Sequence, residues 1–120
     1  MVSLIYQDIY DKINALLLDL YANYFLIKLF AAPNINERIS FLQIIVKNII
    51  TFSSNKIATY PVQCIIGMVS SHQEKMIIVS YLLKHIQKIA FDIYGTHVIE
   101  KTIMCLEKEY THDIISYYIL

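Results

Sequence analysis

Three stretches of this chain repeat one another at intervals of 36 and 37 residues, and that period limits the possible folds more than any other feature. The first is Tyr21-Ala22-Asn23-Tyr24-Phe25-Leu26-Ile27-Lys28. The second is Ile57-Ala58-Thr59-Tyr60-Pro61-Val62-Gln63-Cys64, and the third Tyr94-Gly95-Thr96-His97-Val98-Ile99-Glu100-Lys101. Each sets a large residue before Ala or Gly, then Asn or Thr, then an aromatic ring. Apolar residues follow, and the second and third stretches then carry Gln63 and Glu100.

The intervening sequence repeats as well. Glu37-Arg38-Ile39 returns as Glu74-Lys75-Met76, and Leu42, Ile45, Val46 and Ile49 return as Val79, Leu82, Leu83 and Ile86. These apolar positions step by three and four, the face of an amphipathic helix. Tyr6, Ile9, Tyr10 and Ile13 keep the pattern upstream, and Ile114 to Leu120 reads as the start of another such helix. The unit is therefore a long helix, a turn and a shorter helix. Long helices are expected near 3–17, 36–50 and 73–89, and short ones near 22–32, 59–69 and 95–109. The last short helix is expected to run on through Glu107-Lys108-Glu109-Tyr110. Turns are expected at Pro33-Asn34, Ser53-Ser54-Asn55 and Ser70-Ser71. The whole reads as one domain, residues 1–120, with units near 1–34, 35–71 and 72–109 and a partial fourth at 110–120. Such units stack into an α-solenoid with a continuous core.

Composition narrows the choice further. The chain is 57% hydrophobic and 17% charged, the reverse of a disordered composition. Two Gly and two Pro are too few for the turns of a sandwich or barrel. Few polar residues remain to cover so small a protein, and neither end of the array reads as a polar cap. A protein partner, or self-association through the apolar ends, is expected. The formal net charge is zero, so no basic field draws in nucleic acid. Cys64 and Cys105 form no CxxC and suit a reducing compartment. Residues 1–8 lack the basic start of a signal peptide, and no run reads as a membrane span. A cytoplasmic protein is expected, with the nucleolus as the alternative. HExxH, a Gly-rich phosphate loop and GxSxG are all missing, and His72 and His85 have no evident catalytic partner. Cys105, Glu109 and His112 lack a fourth ligand. No enzyme, cofactor or metal is expected.

Helical repeats of about this length include HEAT, armadillo, tetratricopeptide and Pumilio (PUF) units. Asp92-Ile93-Tyr94-Gly95-Thr96-His97-Val98-Ile99-Glu100-Lys101 closely resembles the RNA-facing segment of a PUF repeat. Tyr21 to Leu29 resembles it less closely, and Ala58 to Ile65 less again. The resemblance covers nearly the whole chain as about three repeats. It implies an all-α, right-handed α-solenoid whose short helices line a concave face. It implies single-stranded RNA, messenger or ribosomal, as the partner, in post-transcriptional regulation or ribonucleoprotein assembly.

The resemblance also implies a division of labour within each repeat. Two side chains one helical turn apart touch a base edge, and the ring between them stacks on the base. Residues i and i+4 project from one side of a helix, so both reach one edge. The implied edge pairs are Asn23 with Ile27, Thr59 with Gln63, and Thr96 with Glu100, and the stacking residues are Tyr24, Tyr60 and His97. Thr96 with Glu100 is similar to a guanine-reading pair. Thr59 with Gln63 looks like an adenine pair with Thr in an unusual slot. Ile27 departs from the pattern, since it offers no hydrogen bond. The implied order is 5′-G-A-N. Lys28 and Lys101 adjoin the edge pairs and are the implied phosphate contacts, whereas Cys64 fills the matching slot without charge. Pro61 is a second departure. It is expected in the first helical turn, where its missing N–H matters little, and it is expected to tilt Tyr60.

Plainer readings stand beside these. Asn23, Thr59 and Thr96 are residue types that cap helices, and aromatic rings also pack in cores. The array also suits a protein-interaction scaffold, docked on a larger complex and carrying a vestigial RNA face.

Overall fold

The structure, a computed structural model, describes residues 12–31 and 35–119. The turn expected at Pro33-Asn34, the upstream pattern of Tyr6, Ile9 and Tyr10, and the leader reading of residues 1–8 lie outside the described residues. Helix α1 spans Ile13–Leu17, α2 Ala22–Ala31, α3 Ile35–Val46, α4 Ile49–Ser53 and α5 Thr59–Met68. Helix α6 spans His72–Lys84, α7 Ile86–Ala90, α8 Gly95–Cys105 and α9 Lys108–Ile119.

The helices expected over 36–50 and 73–89 are each bent into two pieces, α3 with α4 and α6 with α7. The bends fall at equivalent places. Asn48 has φ −120° and ψ 34°, and His85 has φ −120° and ψ 21°. Their N–H groups bond three residues back, to Ile45 at 3.1 Å and Leu82 at 3.3 Å, which tightens the turn. Beyond the bends, Ile49 and Phe52 on α4 and Ile89 and Ala90 on α7 are buried.

The expected continuation of the last short helix does not occur. Helix α8 stops at Cys105, and Leu106 is extended (ψ 151°) and buried. Val69 ends α5 in the same way, at ψ 140°. In both units the chain leaves the helix at an apolar residue. Helix α9 then begins at Lys108, well before the expected Ile114.

The helices form two layers. Short helices α2, α5 and α8 pack side by side, and α1, α3, α6 and α9 pack in a parallel row. One apolar cluster runs between the layers from Ile13 to Ile114 and includes Leu26, Phe41, Ile66 and Leu82. Each such side chain, fully buried, contributes about 1.5–3 kcal/mol. The body measures 47 × 28 × 19 Å, the elongated shape of a stack.

A buried ion pair ties α3 to α6. Arg38 Nε lies 2.8 Å from Glu74 Oε2, while Arg38 Nη2 donates to the Met68 carbonyl at 2.6 Å. The Arg38 guanidinium also lies 4.6 Å over the Phe30 ring. Glu74 closes a capping box at the start of α6: Ser71 Oγ accepts from Glu74 N, and Glu74 Oε1 accepts from the N–H groups of Ser70 and Ser71, both at 3.0 Å. Burial pushes the Glu74 carboxyl upward, but those two N–H groups and Arg38 outweigh it and hold the group below its ordinary value. One seam further on, Lys75 meets Glu107 at 2.9 Å in a more exposed pair. Among the described residues, no helix is long and apolar enough to cross a membrane.

Candidate functional site

The short helices owe their common placement to three residues that the sequence reading passed over. Asp19 Oδ1 accepts from the N–H groups of Tyr21 and Ala22 at 2.9 and 2.8 Å. Asn55 Oδ1 accepts from Ile57 and Ala58 at 2.8 and 2.9 Å. Asp92 Oδ1 accepts from Tyr94 and Gly95, both at 2.8 Å. The carbonyls of Asp19, Asn55 and Asp92 then receive the N–H groups of Asn23, Thr59 and Thr96 at 3.1, 3.0 and 2.9 Å. Each is an Asx turn that starts its helix. These hydrogen bonds give the capping work to Asp19, Asn55 and Asp92 rather than to Asn23, Thr59 and Thr96. The signal was available, because the three caps stand at the same 36- and 37-residue spacing as the aromatic segments.

Close packing fixes the third start further. A Cβ on Gly95 would collide with the Ile89 carbonyl oxygen, so only glycine allows α8 to begin so near the end of α7. The second unit holds Ala58 at that place, fully buried.

Freed from capping, the three edge residues differ in their surroundings. Asn23 is only 2% exposed, and its Oδ1 has no hydrogen-bond partner among the described residues. Thr59 is buried; its hydroxyl donates to the Tyr94 carbonyl at 3.4 Å and accepts from Gln63 Nε2 at 3.2 Å. Thr96 is half-buried and makes no side-chain hydrogen bond among the described residues. Ile27 is half-buried and Glu100 exposed.

The rings at the next position all face solvent. Tyr24 is 59% and Tyr60 52% exposed, and the His97 side chain 57%. Tyr24 and Tyr60 are neighbours, with centroids 6.2 Å apart and planes tilted by 56°. Helix α5 runs through Tyr60 and the buried Pro61, so the proline sits in the first turn and leaves Tyr60 helical. The Cys64 thiol one turn on, and then Tyr24, hold the Tyr60 phenol above its ordinary value. His97 Nδ1 lies 3.7 Å from Glu100 Oε2.

Between the first two rings is an open depression of about 260 Å³. Leu20, Asn23, Tyr24, Lys56, Ile57 and Tyr60 line it. It brings an unpartnered buried oxygen, two rings and a cation together. Lys56 is a site residue that the sequence reading missed, since it lies outside the aromatic segment. Lys28 is exposed on α2. Lys101 is half-buried, and its Cε lies 3.2 Å from where a Cβ on Gly67 would stand, so its stem crosses α5. Among the described residues no group of His, Cys, Asp and Glu could hold a metal ion.

No family profile matches the chain. A Pumilio domain-containing protein of Schizosaccharomyces pombe, C6G9.14, is 31% identical over 107 residues, 89% of this chain. The chain belongs to the PUF family. A second Pumilio domain-containing protein of that yeast, C4G8.03c, is 29% identical over 84% of the chain. The chain spans only 15% and 13% of these two relatives. Among solved structures, the Puf4 RNA-binding domain bound to the HO endonuclease 3′ UTR recognition sequence superposes with a TM-score of 0.86. The match has 26% identity and covers 96% of this chain and 36% of that one. The RNA-binding domain of yeast Puf5p bound to SMX2 RNA gives 0.83, at 26% identity over 94% of this chain and 33% of that one. The architecture is thus the PUF solenoid, and α2, α5 and α8 are the short helices of its repeats.

Proposed function

We propose that this PUF chain binds single-stranded RNA along its short helices. One observation carries the reading: at one repeat position on three adjacent helices stands an exposed ring, and two of these rings are neighbours at 6.2 Å. Tyr24, Tyr60 and His97 stack on bases, while the edges meet Asn23, Thr59 with Gln63, and Thr96 with Glu100. The Asn23 oxygen on the floor of the depression accepts from a base N–H. Lys28, Lys56 and Lys101 supply the nearby positive charge. The related domains' RNA complexes support this reading, and with it we propose a regulatory or ribonucleoprotein role in the cytoplasm or nucleolus.

Affinity is modest. Each stacked base is worth about 1–3 kcal/mol, and with zero net charge little long-range attraction adds to it. The test is fluorescence anisotropy with a ten-nucleotide RNA containing 5′-GA at low salt. Joint substitution of Tyr60→Ala and His97→Ala weakens binding at least tenfold and leaves the circular dichroism spectrum unchanged. Equal affinity in the folded double variant defeats the proposal. The neutral charge favours a second reading, a scaffold for a protein partner.

A further inference from the structure

The chain is neutral as a whole, but its charges are sorted by place. Glu74 and Glu107 pair with Arg38 and Lys75 along the row of outer helices, and Asp19 and Asp92 cap short helices. The bends in the outer helices carry lysine alone. His85 aside, the only charged side chain from Ile39 to Asn55 is Lys47, and the only ones from Met76 to Phe91 are Lys84 and Lys88. All three lysines are exposed, and none makes an ion pair among the described residues. Lys84, His85, Gln87 and Lys88 line one depression of about 270 Å³ together with Tyr117 of α9. Phe91, three residues beyond Lys88, is still right-handed helical at φ −95° and ψ −1°, so the two side chains leave α7 on one side. The Phe91 ring is 79% exposed.

This surface does not depend on where the array stops. Lys47, Thr51 and Tyr81 hold the equivalent places one unit earlier, where α7 packs against α4 and α9 against α6. Lys47 and Thr51 are exposed there and Tyr81 is half-buried, as Lys84, Lys88 and Tyr117 are one unit later. A following unit would therefore leave both lysines in solvent.

We infer that the edge formed by Lys84, Lys88 and Phe91, and continued by Lys47, is a second contact surface for single-stranded RNA, outside the row of rings. The lysines meet backbone phosphates and the Phe91 ring stacks on a base. A basic track with a ring beside it holds single strands with little regard to sequence. A protein partner fits less well. The cores of protein interfaces are depleted in Lys and built on clustered apolar anchors. From Ser80 to Phe91 the only exposed large apolar side chain is Phe91 itself. Helix α7 packs against α8, which sets this edge beside the last ring-bearing helix. None of its residues belongs to the ring face; only the choice of RNA as the polyanion rests on the function proposed above.

The probe is a labelled uridine fifteen-mer, followed by fluorescence anisotropy at low salt. Lys84→Gln with Lys88→Gln weakens its binding about tenfold and lowers the salt slope by about 0.7 per lysine lost. Lys108→Glu changes the net charge by the same amount from the far end of α9 and leaves binding within about twofold. Phe91→Ala weakens binding about fivefold or more. The paired lysine substitutions are repeated in the Tyr60→Ala, His97→Ala background, where they are expected to remove the binding that remains. Should the ring face take no part, that background binds like the parent chain and the lysine substitutions still act. Three results overturn the inference: equal affinity in the paired lysine variant and Lys108→Glu, no loss in Phe91→Ala, or displacement of the fifteen-mer by polyglutamate as readily as by unlabelled RNA, which would make the edge a seat for acidic protein.

Discussion

The second and third units of the array share a sequence pattern but not a state. In the second, Thr59 is held by Gln63 and by the Tyr94 carbonyl, and its apolar neighbours are buried. In the third, Thr96 makes no such bond, Glu100 is exposed, and Tyr118 and Ile119 lie open. The difference does not come from the residues, since Thr, an aromatic ring and a Gln or Glu recur. It comes from what stands next to them. A repeat in a solenoid is completed by its neighbour, so equivalent residues have different energies and different availability.

Substitutions at equivalent positions test that comparison. The largest expected contrast is Leu82→Ala against Tyr118→Ala. Leu82 is fully buried and its truncation costs about 2–5 kcal/mol. Tyr118 is 48% exposed and its truncation costs less than about 1 kcal/mol. Urea denaturation of both variants measures the difference; equal costs would mean that the third unit is as well covered as the second.

A smaller effect sharpens what the units have in common. Asp92→Ala removes the acceptor for the N–H groups of Tyr94 and Gly95 and costs about 0.5–2 kcal/mol in the same assay. Asp92→Asn retains the oxygen and most of the stability. Identical losses in both variants would count against the capping role.

The smallest contrast is between the two ion pairs that join neighbouring helices of the α3–α6–α9 row. Glu74 is held below its ordinary value of 4.5 chiefly by backbone N–H groups and Arg38, against the pull of burial. A depressed folded value adds stability that is present above pH 4.5 and is lost as pH falls through the lower folded value. Tm should therefore drop on acidification below pH 4.5, and Glu74→Gln should flatten that drop at the expense of Tm at neutral pH. Glu107 is depressed mainly by its hydrogen bond to Lys75, but solvent screens it, so Glu107→Gln changes the profile less. The reverse ranking would place the stronger tie at the α6–α9 seam.

Much of this was legible in the sequence because a repeat fold writes its period directly. The spacing of Asn23, Thr59 and Thr96 located the three short helices, and the apolar steps from Leu42 to Ile49 located the outer ones. The bends at Asn48 and His85 were not legible, since neither residue is Gly or Pro and the apolar pattern runs through both. The stop at Leu106 was hidden for a related reason: a charged, helix-favouring run follows it, and only the burial of Leu106 shows why the helix ends. At the site, the positions of the rings were readable, but the burial of Asn23 and the self-satisfied Thr59–Gln63 pair were not. Both depend on neighbouring helices. Lys56 was missed because it precedes the helix and reaches the depression only through the fold.

The most direct test is a two-dimensional NMR titration of the labelled chain with the GA-containing ten-mer. Amide shifts concentrated at residues 23–24, 56–60 and 96–100, with α3 and the outer face of α6 undisturbed, would place RNA on the row of rings. Shifts confined to the outer helices, or none at saturating RNA, would contradict it.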